Sequence, residues 1–476
     1  MVSRRRTPTQ RPEPRAAPRG AAVTCALLAT AALLGAPPAR AGGGGARAER
    51  GDAALVRFHS STYLQLYQRA LLPGPNGALV TTDTIAPVYE YVSLRADDLD
   101  TLGEDDTSVE LSAWGAATAT EDFDTARRLD GDLQTANVRL HAGPSWVRLG
   151  RQVIAGGAAR FARFDGAAAG SRLAIGLGMD AYAGLSVLPR WSGRPGYAQL
   201  GAAADTLLRE PEALPEARRS GYWLAGGRAS YERGPLVVGA SFHEEHASSE
   251  LARRSLGGDF QLEPLDWASA GGAAVLDLDG LGLADARLWA DTVPARGVGL
   301  GVEYLHTEPA LLLSRQSVLS VFSADTFDEL GATASWRPLA LIGVEGGGYL
   351  QHYSAGDAGA RGDLALRVAP DREERTVLRL GLARVRAPGN GYTALRDSLR
   401  QRIAGRVTAT AEAYLYLYDE AISGRRIAEV YAGTVEWRAL DELRLLFGSS
   451  LARTPYADAD LQALVRATYG LDGKGP

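Results

Sequence analysis

The feature that most restricts this chain is a two-residue alternation of apolar and polar side chains, recurring from about residue 53 almost to the end. Period two marks a strand with one face in an apolar medium and the other in water. In Gln134–His141, Val138 and Leu140 oppose Asn137, Arg139 and His141. In Trp146–Val153, Val147, Leu149 and Val153 oppose Arg148, Gly150 and Gln152. Val407–Tyr418 sets Val407, Ala409, Ala411, Leu415 and Leu417 against Thr408, Thr410, Glu412, Tyr414 and Tyr416. In Glu429–Arg438, Tyr431, Val435 and Trp437 oppose Thr434, Glu436 and Arg438. In Leu443–Leu451, Leu443, Leu445, Phe447 and Leu451 oppose Arg444, Gly448 and Ser450.

A soluble antiparallel sandwich has the same period. Three features favour a closed barrel in a membrane. The apolar faces persist over roughly 400 residues, a length at which a soluble chain normally divides into domains. A secretory leader precedes them. Aromatics fall near the expected strand ends, as interfacial girdles require: Tyr63, Tyr67, Tyr91, Trp114, Trp146, Trp191, Trp223, Trp289, Trp336, Trp437 and Tyr469. After residue 41 no run of 18 apolar residues exists, since Leu173–Pro189 is cut by Asp180, so any crossing uses strands. The expectation is an all-β fold, a closed antiparallel transmembrane β-barrel of about 16–18 strands.

Turn pairs are expected at Asn76-Gly77, Asp130-Gly131, Asp165-Gly166, Asp279-Gly280 and Asn390-Gly391. Long loops are expected at 71–84, 190–220, 246–256, 306–327, 351–361 and 387–401.

The leader reads as residues 1–41. Arg4, Arg5, Arg6, Arg11, Arg15 and Arg19 precede the apolar stretch Ala21–Ala36, and Ala39-Arg40-Ala41 fits the cleavage pattern. Residues 42–52 form a glycine-rich linker, 53–471 the barrel and 472–476 a tail. Without the leader the chain carries 44 basic against 55 acidic residues, which argues against nucleic acid as a partner. The single cysteine, Cys25, lies in the leader, so thiol chemistry is absent from the remainder.

Trp146–Gly166 reads as a strand, a glycine-rich turn and a second strand. Gly150-Arg151-Gln152, Gly156-Gly157, Arg160 and Asp165-Gly166 together resemble a hairpin of outer-membrane porin families, including alginate-export-like porins. The resemblance covers about twenty residues. It implies a hydrophilic lumen and passive transport of small solutes. The C-terminus departs from that pattern, because Tyr469 is followed by Gly470 to Pro476.

The candidate pore-lining residues are Arg139, Arg148, Gln152, Arg160, Thr408, Glu412, Glu436 and Arg444. Arg148, Arg151, Arg160 and Arg163 read either as an anion-attracting patch facing the pore or as arginines that pair with lumenal acids such as Asp165 or sit at the rim. His243-Glu244-Glu245-His246 suggests a metal site only superficially, since strand neighbours diverge, and a solvated strand end or loop is the better reading. Asp277-Leu278-Asp279-Gly280 lacks the rest of a calcium loop and reads as a hairpin turn. No nucleophile motif or phosphate loop is present, so the chain is not read as an enzyme, and no cofactor or metal is expected. The expected partners are outer-membrane lipid, the barrel-assembly machinery and small hydrophilic solutes. Two other readings stay open, a structural or surface-binding barrel with a closed lumen and a membrane-embedded hydrolase.

Overall fold

The computed structural model describes residues 55–73, 79–99, 107–118, 129–187, 222–247, 249–308, 326–354, 356–455 and 458–474. The proposed leader and linker, Asn76-Gly77, Trp191 and the expected loop 190–220 lie outside them, as does most of 306–327.

The described residues form strands throughout. The first are β1 (Leu55–Pro73), β2 (Leu79–Ile85), β3 (Pro87–Leu99), β4 (Thr107–Thr118), β5 (Leu129–Ala142) and β6 (Ser145–Gly156). A short 3-10 turn, Gly157–Ala159, leads into β7 (Arg160–Arg172), β8 (Leu177–Ser186), β9 (Tyr222–Arg233), β10 (Leu236–Ala247) and β11 (Glu250–Leu265). Then follow β12 (Ala268–Asp277), β13 (Gly282–Ala295), β14 (Val298–Thr307), β15 (Phe327–Leu339), β16 (Ile342–Tyr353) and β17 (Ala358–Val368). The last are β18 (Thr376–Arg386), β19 (Tyr392–Ala404), β20 (Val407–Ile422), β21 (Arg425–Arg438), β22 (Leu443–Arg453) and β23 (Asp460–Lys474).

Each wall strand pairs antiparallel with its chain neighbours, and β23 returns to β1 to close the ring. At the seam Ser61 faces Thr468, and their hydroxyls lie 3.2 Å apart. β2 pairs only with the far part of β1, so the wall contains 22 strands.

That count exceeds the 16–18 expected from turn spacing. The connections are shorter than the sequence suggests, and several expected breaks are strand interior. Asp130-Gly131 lies inside β5 and Asp165-Gly166 inside β7. Asp165 does not start a turn because its carboxylate is engaged by Arg151 on β6. Stretches 71–84, 246–256, 351–361 and 387–401 are largely strand. By contrast Asp279-Gly280 and Asn390-Gly391 fall in connections. Between β20 and β21, Ser423 and Gly424 both have positive φ (47° and 80°), the conformation a two-residue hairpin turn demands.

Alternation assigns the two faces. On one, Leu364, Leu382, Leu395 and Leu415 are directly paired across β17–β20. Val435, Phe447, Val465 and Leu64 do the same across β21, β22, β23 and β1. Leu149, on β6 of the same face, is 52% exposed. A contiguous apolar band of this extent exceeds what a soluble surface tolerates and matches a hydrocarbon environment. Arginines, carboxylates and hydroxyls occupy the opposite face, which is therefore the lumen.

The aromatic girdle is smaller than expected. Trp223, Trp336, Trp437 and Tyr469 take the apolar face, whereas Tyr63, Tyr91, Trp114, Trp146 and Trp289 take the lumen face. Trp114 is buried there against Tyr89, with Tyr63 and Tyr91 packed around them.

Candidate functional site

The lumen side of β6–β13 is built around one inward hairpin. The turn joining β6 and β7 crosses the lumen face and lands on β10 and β11. Gly156 and Gly157 have positive φ (93° and 56°), which redirects the backbone inward. The Ala158 amide donates to Ser241 Oγ at 2.8 Å, and Arg253 Nη2 donates to the Ala159 carbonyl at 3.1 Å. Gly157 fits because a Cβ there would lie 2.5 Å from Ser241 Oγ. Arg160, also at positive φ (54°), donates to Asp285 on β13 at 3.3 Å.

Beneath the turn lies an apolar cluster of Ala159, Ala162, Phe164 and Leu224, with Ile154 and Tyr182 against it. Its aromatics lie flat because the facing positions are glycine. A Cβ at Gly184 would meet the Phe164 ring at 2.7 Å, and one at Gly226 would meet the Tyr182 hydroxyl at 2.4 Å. Tyr182 thereby reaches across β9 to His243 on β10. His243 is wholly buried, so it is not part of a solvated strand end. Among the described residues its Nε2 has no partner. As alternation requires, His246 points to the other face, stacked on Trp223 and 2.5 Å from Glu244.

All eight sequence candidates fall on the lumen side, in two separate groups. Arg139 and Arg148 face each other across β5 and β6, with their guanidinium groups 4.5 and 5.3 Å from the Trp146 ring centre. Gln152 is fully buried under the hairpin and donates to the Gly166 carbonyl at 3.2 Å. Arg160 sits at the hairpin tip. On the second group's strands, Thr408 faces Glu436, Glu412 accepts from the Tyr414 hydroxyl at 3.1 Å, and Arg444 faces Arg438 and Thr468. The two groups stand on β5–β7 and β20–β22 and do not converge.

The proposed four-arginine patch is split. Arg148 and Arg160 are lumenal and Arg151 follows Leu149 in parity, whereas Arg163 is buried against Asp132, the partner of lumenal Trp114 across β4 and β5. Both Arg151 and Arg163 are neutralised. Arg151 grips Asp165 through two 2.7 Å hydrogen bonds, and Arg163 donates to Asp132 at 2.6 Å. The pairing of neighbouring charges, not the run of arginines, decides their role.

Sequence reading missed a segregation of charge around the wall. From β17 through β23 and β1 to β6, lumenal arginines outnumber carboxylates; Arg379, Arg396, Arg400, Arg444, Arg466 and Arg148 belong to this half. From β8 to β16 the reverse holds, with Asp180, Glu245, Asp259, Asp291, Glu303 and Glu329 facing the lumen. The signal was available as alternation, since Asp285, Arg287, Trp289 and Asp291 occupy every second position of β13. What sequence could not show is that these strands stand opposite the arginine-rich ones.

A closed antiparallel wall, apolar outside and ionised inside, defines a transmembrane β-barrel. No family model matches the chain, and no curated protein matches it. Among solved structures it is similar to the translocation pore of the P pilus usher PapC, with TM-score 0.47, 8% identity, 87% of this chain and 99% of that one. It is also similar to OccK9 (OpdG) of Pseudomonas aeruginosa, with TM-score 0.43, 11% identity, 88% of this chain and 98% of that one. A third similar structure is OccK2 (OpdF) of Pseudomonas aeruginosa in complex with glucuronate, with TM-score 0.39, 12% identity, 88% of this chain and 98% of that one.

Proposed function

We propose that this protein is an outer-membrane channel through which small hydrophilic solutes diffuse passively. The observation that carries the reading is the lumen wall, in which ionised side chains of opposite sign line opposing halves of a closed barrel. A wall of 22 strands is wider than one of 16–18, which already leaves an aqueous channel. Charged walls with low-dielectric backing raise the local concentration of polar solutes and orient those with a dipole. Arg139, Arg148, Thr408, Glu412, Glu436 and Arg444 are the wall residues a passing solute meets on this reading, while Gln152 and Arg160 act through the hairpin. The leader read from the sequence and the apolar band support an outer-membrane location, with insertion by the barrel-assembly machinery. Its work is transport rather than catalysis.

The inward hairpin favours one competing reading, a barrel whose lumen is closed and whose role is structural. Planar-bilayer recording decides between them. The channel reading expects ohmic single-channel steps and passage of small sugars or ions into liposomes without an energy source. Impermeable liposomes containing folded protein refute it.

A further inference from the structure

On the acidic half of the wall, β13, β14 and β15 enclose a cavity of 310 Å³ lined by Arg287, Trp289, Asp291, Gly301, Glu303 and Thr333. That volume is at the small end of ligand sites. The Trp289 indole forms one wall, laid across Gly271, where a Cβ would lie 2.6 Å from the ring. Gly301 forms the floor. Asp291 Oδ1 and Thr333 Oγ1 approach it from the two neighbouring strands, each 2.6 Å from where a Cβ would stand. The two oxygens thus converge on the space that the missing side chain leaves open.

The charges in the cavity do not cancel. Arg287 Nη2 donates to Glu303 at 3.2 Å, which neutralises both. Asp291 has no ion-pair or hydrogen-bond partner among the described residues, so one negative charge remains beside an indole and a hydroxyl. An indole attracts cations through its ring face, and a carboxylate with a hydroxyl accepts the N–H groups of an ammonium. A neutral polyol leaves that carboxylate uncompensated, and an anion is repelled by it.

We propose that this cavity is a lumenal subsite for small organic cations, primary amines carrying an apolar or aromatic body. The assignment rests on the reading of the polar face as a solvent-filled lumen, and it names a preferred solute class for that lumen. Asp291 holds the ammonium, Thr333 accepts a second N–H, and Trp289 covers the body. Screening of the exposed carboxylate makes binding weaken as salt rises.

The test is calorimetry on the detergent-solubilised full-length protein, with tyramine as the probe and its neutral isostere tyrosol as the control. The expected result is tyramine binding at least tenfold tighter than tyrosol. Asp291→Asn lowers tyramine affinity roughly tenfold, the scale of one charge-assisted hydrogen bond, and leaves tyrosol unchanged. Thr333→Val lowers it severalfold without altering charge, and serves if Asp291→Asn fails to fold. Glu373→Gln, in the exposed connection between β17 and β18, has no effect. Equal binding of the two compounds, no binding of either, or full tyramine affinity in both the Asp291 and Thr333 variants overturns the proposal. Conductance without tyramine binding overturns the subsite and leaves the channel standing. Tyramine binding in a protein that does not conduct does the opposite.

Discussion

The hydroxyl of Tyr182 lies 3.0 Å from His243 Nδ1, and it gets there only by passing over Gly226 on the strand between them. The rings are nearly parallel, at 29°. A glycine in β9 therefore fixes the relation of an aromatic on β8 to a histidine on β10, and both support the floor under the hairpin.

Gly226→Ala tests that seat. The added Cβ would meet the Tyr182 hydroxyl at 2.4 Å and the Phe242 carbonyl at 2.5 Å, and the second of these is backbone that cannot swing aside. The expected loss is about 1–3 kcal/mol, the usual cost of overpacking. It is read as a lower temperature for loss of the heat-modifiable band. An unchanged transition removes the seat from the account.

The latch of the hairpin is polar and thin. Ser241→Ala removes the acceptor of the Ala158 amide, and Arg253→Ala removes the donor to the Ala159 carbonyl. Each bond contributes about 1 kcal/mol. The double variant is expected to show larger or more frequently interrupted single-channel currents. Currents identical to those of the parent protein show that the hairpin does not limit flow.

The segregated wall predicts an asymmetric response to charge reversal. Arg396→Glu and Arg444→Glu shift the reversal potential under a salt gradient toward cation selectivity. Asp259→Lys, where Arg228 now pairs with the carboxylate, shifts it toward anions. Stability changes stay small for Arg444, which sits in water, under about 1 kcal/mol. Shifts of the same sign from all three contradict the assignment of faces.

The faces are tested directly at Phe447 and Gly448. Phe447 is paired between Val435 and Val465 on the apolar band, and its neighbour faces the lumen. Phe447→Arg is expected to cost ~2–4 kcal/mol if it lies near the bilayer midplane. A spin label at 447 should be relaxed by oxygen dissolved in the bilayer, and one at 448 by an aqueous nickel reagent. Equal access of the aqueous reagent to both sinks the assignment for this strand.

One turn outside the wall has its own pH response. The Asp371 carboxylate accepts from the amides of Arg375 (2.8 Å) and Thr376 (3.0 Å), which holds its pKa below the usual carboxylate value. A depressed folded pKa means that the carboxylate supports the turn above its unfolded pKa and ceases to as pH falls through the folded one. Tryptic cleavage at Arg372 and Arg375 is the readout at neutral pH, and Asp371→Ala should raise its rate severalfold. No change shows that the turn is held by other contacts.

The strands themselves were legible. Val407–Tyr418 alternates so strictly that its lumen set, Thr408 to Tyr416, could be named from sequence. Arg139, Arg148 and Gln152 were likewise placed by parity alone. The same parity groups Arg151 with Leu149 but fails at Arg163, which is buried against Asp132 where the β6–β7 hairpin turns in from the wall. A carboxylate compensates each charge, Asp165 for Arg151 and Asp132 for Arg163. The strand count went astray for a related reason. Asp-Gly is a turn signal only when the aspartate is free to cap its own backbone, and Asp165 is held by an arginine one strand away.

The sequence by itself determined the period of the strands, the apolar and polar faces and the all-β antiparallel class, because alternation is a local property of a pleated chain. The tertiary structure alone decided that 22 strands close the ring, that β6 and β7 send their turn onto β10 and β11, and that arginine-rich strands face acidic ones. Those facts depend on residues far apart in sequence meeting across the seam and the lumen. Ser61 meets Thr468, and Ala158 meets Ser241, only after the sheet has curled on itself. Closure is set by the summed register and twist of every strand pair, which no single segment encodes.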